Sequence, residues 1–133
     1  MRATPSPPAP ARPHWPGIAA AAAGASAVVL GALGAHALRG VLSAPMLEIW
    51  NTAVHFQFWH ALALVACAML ARRSHAAYLG SILFALGIVL FCGSLYALAL
   101  GAPRMVGIVT PLGGLCFIAA WIGLGVALYR QRM

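Results

Sequence analysis

A chain of 133 residues that is 63% hydrophobic and only 7% charged has too little polar surface for a water-soluble globule, and its mean hydropathy of +0.93 agrees. Its formal net charge of +7 comes from eight arginines, with no lysine and with Glu48 as the only acid. The arginines stand between apolar blocks instead of gathering into one patch, which excludes a nucleic-acid surface and fits a membrane protein.

Residues 1–16 are proline-rich and carry Arg2 and Arg12, a composition that predicts a disordered cytoplasmic tail. The transmembrane domain then runs over 17–133. Its first span, Ile18 to Leu38, is uncharged and long enough as a helix to cross a hydrocarbon core of about 30 Å. Gly24, Gly31 and Gly34 would let a neighbouring helix approach it closely. Arg12, the apolar run and Ala35-His36-Ala37 imitate a cleavable signal peptide, but the run is longer than an ordinary signal core, so a retained span is expected. Gly40, Ser43 and Pro45 break the chain before a second span at 46–70, which Arg72 and Arg73 close. The third span is 76–100, Gly101 to Arg104 form a tight turn, and the fourth span is 105–129.

Two arginines each lie in the N-terminal tail, the Arg72–Arg73 loop and the C-terminal tail, against Arg39 and Arg104 singly on the other side. The positive-inside rule therefore places both termini in the cytoplasm. Short loops make sequential helices antiparallel neighbours. The predicted fold is an all-α membrane protein, an up-down four-helix transmembrane bundle.

Polar residues concentrate in its outer half. Asn51, His55, Gln57 and His60 descend along the second span, His36 closes the first, Ser94 and Tyr96 end the third, and Thr110 opens the fourth. Glu48, Thr52, His55 and Trp59 share one face of the second helix, while Gln57 and His60 lie on another. Polar groups at that depth are costly and usually face other helices or a wet cavity. The expectation is that His36, Asn51, His55, Gln57, His60, Ser94, Tyr96 and Thr110 contribute to a polar pocket open to the outer side. His36, His60 and Tyr96 should line one connected cavity. Two polar faces on one helix call for a central second helix, or for an oligomer whose seam uses one of them. Glu48 is expected to pair with Arg39 or Arg104. Cys67, Cys92 and Cys116 lie in three separate apolar segments without metal-site spacing, so they read as small buried hydrophobes, and no metal or cofactor is predicted. A faint internal echo aligns Val28–Leu38 with Ile88–Leu98 and sets His36 opposite Tyr96.

Four stretches together resemble the domain-of-unknown-function family 423. They are Gly31-Ala-Leu-Gly-Ala-His36, Phe56-Gln-Phe-Trp-His60 with Ala61-Leu-Ala-Leu64, Phe91-Cys-Gly-Ser-Leu-Tyr96, and Thr110-Pro-Leu-Gly-Gly114. They occur in order and cover roughly Gly17 to Tyr129. The resemblance implies a multi-pass membrane protein that retains its Gly-Ala-His motif, and it implies no catalytic residues. An enzyme would need a nucleophile, an acid/base pair or a metal set, which Glu48 and scattered histidines do not supply. The leading expectation is a non-enzymatic bacterial inner-membrane protein with an accessory or scaffold role. Its partners would be the lipid bilayer and a homo-oligomer or another membrane protein. The alternatives are a small-solute, ion or proton transporter and a cofactor-binding membrane enzyme subunit.

Overall fold

The computed structural model describes residues 14–133. Four helical spans are each long and apolar enough to cross a membrane. The first is α1 (Trp15–Ala35) and the second is α2 (Ala44–Leu70). The third comprises α3 (His75–Gly87), a π-helical segment Ile88–Cys92 and α4 (Gly93–Ala99). The fourth opens with a 3₁₀ turn at Arg104–Ile108 and continues as α5 (Val109–Arg130). The architecture is the expected four-helix membrane bundle.

The boundaries differ from those expected, for local reasons. Trp15 and Pro16 belong to α1 and not to the tail, because proline fits a helix's first turn, where its missing N–H costs nothing. Residues 1–13 of the predicted tail lie outside the described residues. At its other end α1 stops at Ala35, and the Leu38 N–H turns back onto the Leu33 carbonyl at 2.9 Å. Gly40 takes a left-handed φ of +81°, which lets the short loop return into α2. Ser74 caps α3, its hydroxyl accepting the Ala77 N–H at 3.3 Å. Pro111 falls in the first turn of α5, so its ring breaks no intrahelical hydrogen bond.

The π-helical turn inside the third span is not signalled by composition. There the backbone runs against α5, and a side chain at Gly113 would collide with the main chain of Phe91. The rest of that interface is just as close. A Cβ at Gly87 would lie 2.5 Å from the Phe117 ring, and one at Gly123 would lie 3.1 Å from the Ala76 carbonyl. In lipid no hydrophobic force draws helices together, so such backbone approach and its dispersion contacts hold the pair.

α1 packs along α2, α2 along the third span, and the third span along the fourth. α2 is the most buried of the four. Its inward face carries Trp50, Ala53, Gln57, Ala61 and Leu64 (i, i+3, i+7, i+11, i+14), all buried. Phe84, Leu64, Cys67 and Cys92 are the heart of the apolar core. At the N-terminal end of α1, Trp15 meets Tyr78 edge-on at 6.2 Å, joining the starts of the first and third spans.

Candidate functional site

The inward face of α2 carries most of the chain's polar contacts between spans. Gln57 is buried and uses its whole amide. Its Nε2 donates to the Ala23 carbonyl at 2.9 Å and to Ser26 Oγ at 2.7 Å, both on α1. Its Oε1 accepts the Tyr96 hydroxyl of α4 at 2.8 Å. Ser26 Oγ–H closes the circuit by donating to the Ala23 carbonyl at 3.1 Å. One turn pair toward the α2 N-terminus, Trp50 Nε1 donates to the Leu30 carbonyl of α1 at 2.9 Å, and its indole meets the Tyr96 ring at 4.7 Å. Gly34 makes room for that indole, since a Cβ there would stand 2.8 Å from Trp50 Cδ1. α1, α2 and α4 are thus tied by groups that have no water to replace them in hydrocarbon.

His60 belongs to a separate assembly. Its ring stacks on Phe117 at 3.6 Å with an 11° interplanar angle, and Phe56, Phe84 and Trp121 surround it at 5.7, 5.9 and 6.2 Å. Nδ1 lies 2.6 Å from the Phe56 carbonyl, which accepts only, so Nδ1 carries the hydrogen. A third assembly sits at the end of the π-helical turn. Ser94 Oγ donates to the Phe91 carbonyl at 2.9 Å and lies 2.6 Å from Thr110 Oγ1, which must then supply the hydrogen between the two hydroxyls.

The candidate residues therefore separate. Gln57 and Tyr96 come together, Ser94 and Thr110 come together, and His60 stands among aromatic rings. His36 is exposed at the end of α1, beside an open apolar groove of about 390 Å³ formed with Val28, Val29, Ala32, Leu33 and Ala37. Among the described residues, His36, His60 and Tyr96 lie in separate surroundings and do not line the single cavity expected. α1 ends before His36 can turn inward, and aromatic rings fill the space around His60. Asn51 and His55 point away from the bundle axis; the Asn51 Oδ1 lies beside Gly34, and the His55 ring stacks on Trp59 at 6.0 Å. With Ala44, Leu47, Glu48 and Thr52 they line a shallow outer groove of about 360 Å³. Glu48, Arg39 and Arg104 are each exposed, and the expected pairing is not formed among the described residues. Exposed charges gain little from pairing, so nothing compels it.

Two participants lie outside the expected set, each with a signal in the sequence: Ser26 is the one hydroxyl in α1, and Trp50 lies seven residues before Gln57 on the same face. Among the described residues no three His, Cys, Asp or Glu side chains gather as metal ligands would.

A family model described as "Protein of unknown function (DUF423)" matches residues 30–114, which hold Gly34, Trp50, Gln57, His60, Tyr96 and Gly113. The chain belongs to the DUF423 family. It is 44% identical over 117 residues to the UPF0382 inner membrane protein YgdD of Escherichia coli K12, covering 86% of this chain and 89% of that one. To the UPF0382 membrane protein YwdK of Bacillus subtilis it is 44% identical over 105 residues, 76% of this chain and 85% of the relative. To a UPF0382 membrane protein of Haemophilus influenzae the identity is 38% over 106 residues, 79% and 86% of the two chains. No solved structure matches it. This DUF423 protein is accordingly a multi-pass membrane protein, and its interspan polar contacts lie largely within the matched region.

Proposed function

We propose that this DUF423 protein is a non-enzymatic inner-membrane protein with both termini in the cytoplasm, acting as an accessory or scaffold component. One observation carries the reading. Among the described residues, no buried side-chain nitrogen or oxygen lacks a hydrogen-bond partner within the chain. Gln57, Tyr96, Ser94 and Thr110 spend their bonding capacity on joining helices, whereas a conducting path needs groups that exchange partners with water or a passing solute. The arginine distribution supports the orientation, and the naming of YgdD as an inner membrane protein supports the location.

The reading is tested on His60, the most deeply placed histidine. In proteoliposomes under a pH gradient, a structural His60 predicts that His60→Leu lowers yield and thermal stability. Flux per folded molecule should stay at the parent's level. A pH-dependent flux that is present in the parent and abolished in His60→Leu, with the folded fraction matched, overturns the scaffold reading in favour of a proton or ion path.

A further inference from the structure

Among the described residues, most polar side chains at spanning depth are partnered inside the chain; the half-exposed indoles of Trp59 and Trp121 are exceptions, and so is one face of α2. Gln57, Tyr96, Ser26, Ser94, Thr110 and Ser81 all hydrogen-bond within or between helices, and Trp50 and His60 each have a nitrogen so engaged. The Asn51 amide and the His55 ring enter none of these bonds, and both lie on the outward face of α2. Their depth follows from their neighbours. Asn51 is level with Gly34 near the end of α1, and Val54 is level with Gly31, so His55 lies about 6 Å further in. Asn51 therefore stands at the rim of the span, while a histidine turned to lipid below it carries a desolvation cost that no hydrogen bond among the described residues relieves.

This face continues along the whole helix. Asn51, His55, Phe58, Leu62, Val65 and Met69 are all exposed and follow one another at intervals of four, three, four, three and four residues. Glu48 extends the series by three at the outer rim. Alternation of three and four fits a left-handed helix–helix seam, but the exposed stripe of α5 through Leu115, Ile122 and Tyr129 shares it, so the polar pair Asn51 and His55 is what singles out α2. We propose that this outward face of α2 is the contact surface for a second copy of the same chain, in a parallel two-fold dimer.

The chemistry selects an identical partner. Both copies enter the membrane with one orientation, so a two-fold axis along the bilayer normal brings each residue to its own counterpart at equal depth. Asparagine offers a donor and an acceptor, as does an imidazole with one hydrogen. Each is therefore its own complement, and Asn51 and His55 are satisfied by their copies. Below them Phe58, Leu62, Val65 and Met69 supply apolar knobs. Glu48 stays at the wet rim, where two like charges are screened. The seam deepens the scaffold reading by naming its partner, and its test involves no flux, so either idea fails without the other.

The test is disulfide trapping in native membranes, with cysteine introduced singly at Asn51, His55 or Leu62 and the parent's own cysteines left in place as background. Control positions are Val28 on the outer face of α1 and Ile122 on that of α5, both well exposed. Oxidation should give covalent dimers at the three α2 positions and only background at the controls. Native mass spectrometry from mild detergent should show a dimer whose dissociation constant rises about three- to thirtyfold in Asn51→Leu/His55→Leu, the range expected for lost interhelical hydrogen bonds. Trapping that is equal or stronger at Val28 or Ile122 overturns the proposal. So does the absence of trapping at all three α2 positions, whether native spectra then show bare monomer or monomer with bound lipid.

Discussion

Gln57 exerts its effect through three partners on two other spans, so its removal is felt unequally among them. Gln57→Leu leaves the half-buried Tyr96 hydroxyl with no partner in the chain to donate to, whereas Tyr96→Phe removes the need along with the group. The first should lower stability by about 1–3 kcal/mol, the cost of an unsatisfied buried group. The second should cost about 0.5–1.5 kcal/mol, as membrane hydrogen bonds commonly do. The double variant should fall short of the sum, because the partners share one interaction. Thermal unfolding in detergent, followed by helical circular dichroism, measures all three. Full additivity in the double variant would show that the Tyr96–Gln57 bond contributes little.

At the scale of helices, the third and fourth spans depend on backbone approach. Gly113 lies against the main chain of the π-helical turn at Phe91, which has no flexible end to move aside. Gly113→Ala should therefore destabilise by about 1–3 kcal/mol or more, the cost of overpacking a closed contact. Gly125→Ala lies on the same helix with nothing within 4 Å of the added carbon. It should be neutral or stabilising by up to about 1 kcal/mol through helix propensity. Comparing the two in one denaturation series separates packing from propensity, and similar effects at both sites would refute the close contact. The π-helical turn has its own compensation, since the Ser94 hydroxyl reaches the Phe91 carbonyl and takes the Thr110 hydroxyl in turn. Thr110→Val should loosen the α4–α5 junction and raise amide exchange between Phe91 and Tyr96.

For the molecule as a whole, orientation follows from where the arginines lie. Reporter fusions after residues 40 and 103 should behave as periplasmic, and fusions after 74 and 133 as cytoplasmic. A single exchanged location would remove the antiparallel order on which both the proposed topology and the proposed seam rest. Within that order α2 is central without being enclosed. One of its faces ties α1 to the third span, another meets the aromatic cluster around His60, and the outward one is open.

Four apolar blocks of spanning length, separated by breakers and arginines, determine the number of spans and their helical character without any tertiary information. Lipid leaves a single chain segment few other ways to satisfy its backbone. The α1–α2 approach was also legible, through Gly31 and Gly34, and so was the polar character of the second span. What composition could not decide was which polar residues would meet. His36, Gln57, His60 and Tyr96 differ little as letters in one half of the spans, and their grouping depends on rotation about each helix axis. That rotation is set by steric contacts among distant residues, such as Gly34 under Trp50 and Gly113 against Phe91. The π-helical turn belongs to the same class, because its register follows from α5 pressing on the third span. Tertiary packing alone therefore decided that Gln57 holds Tyr96, that His60 is enclosed by Phe56, Phe84 and Phe117, and that Asn51 and His55 face outward.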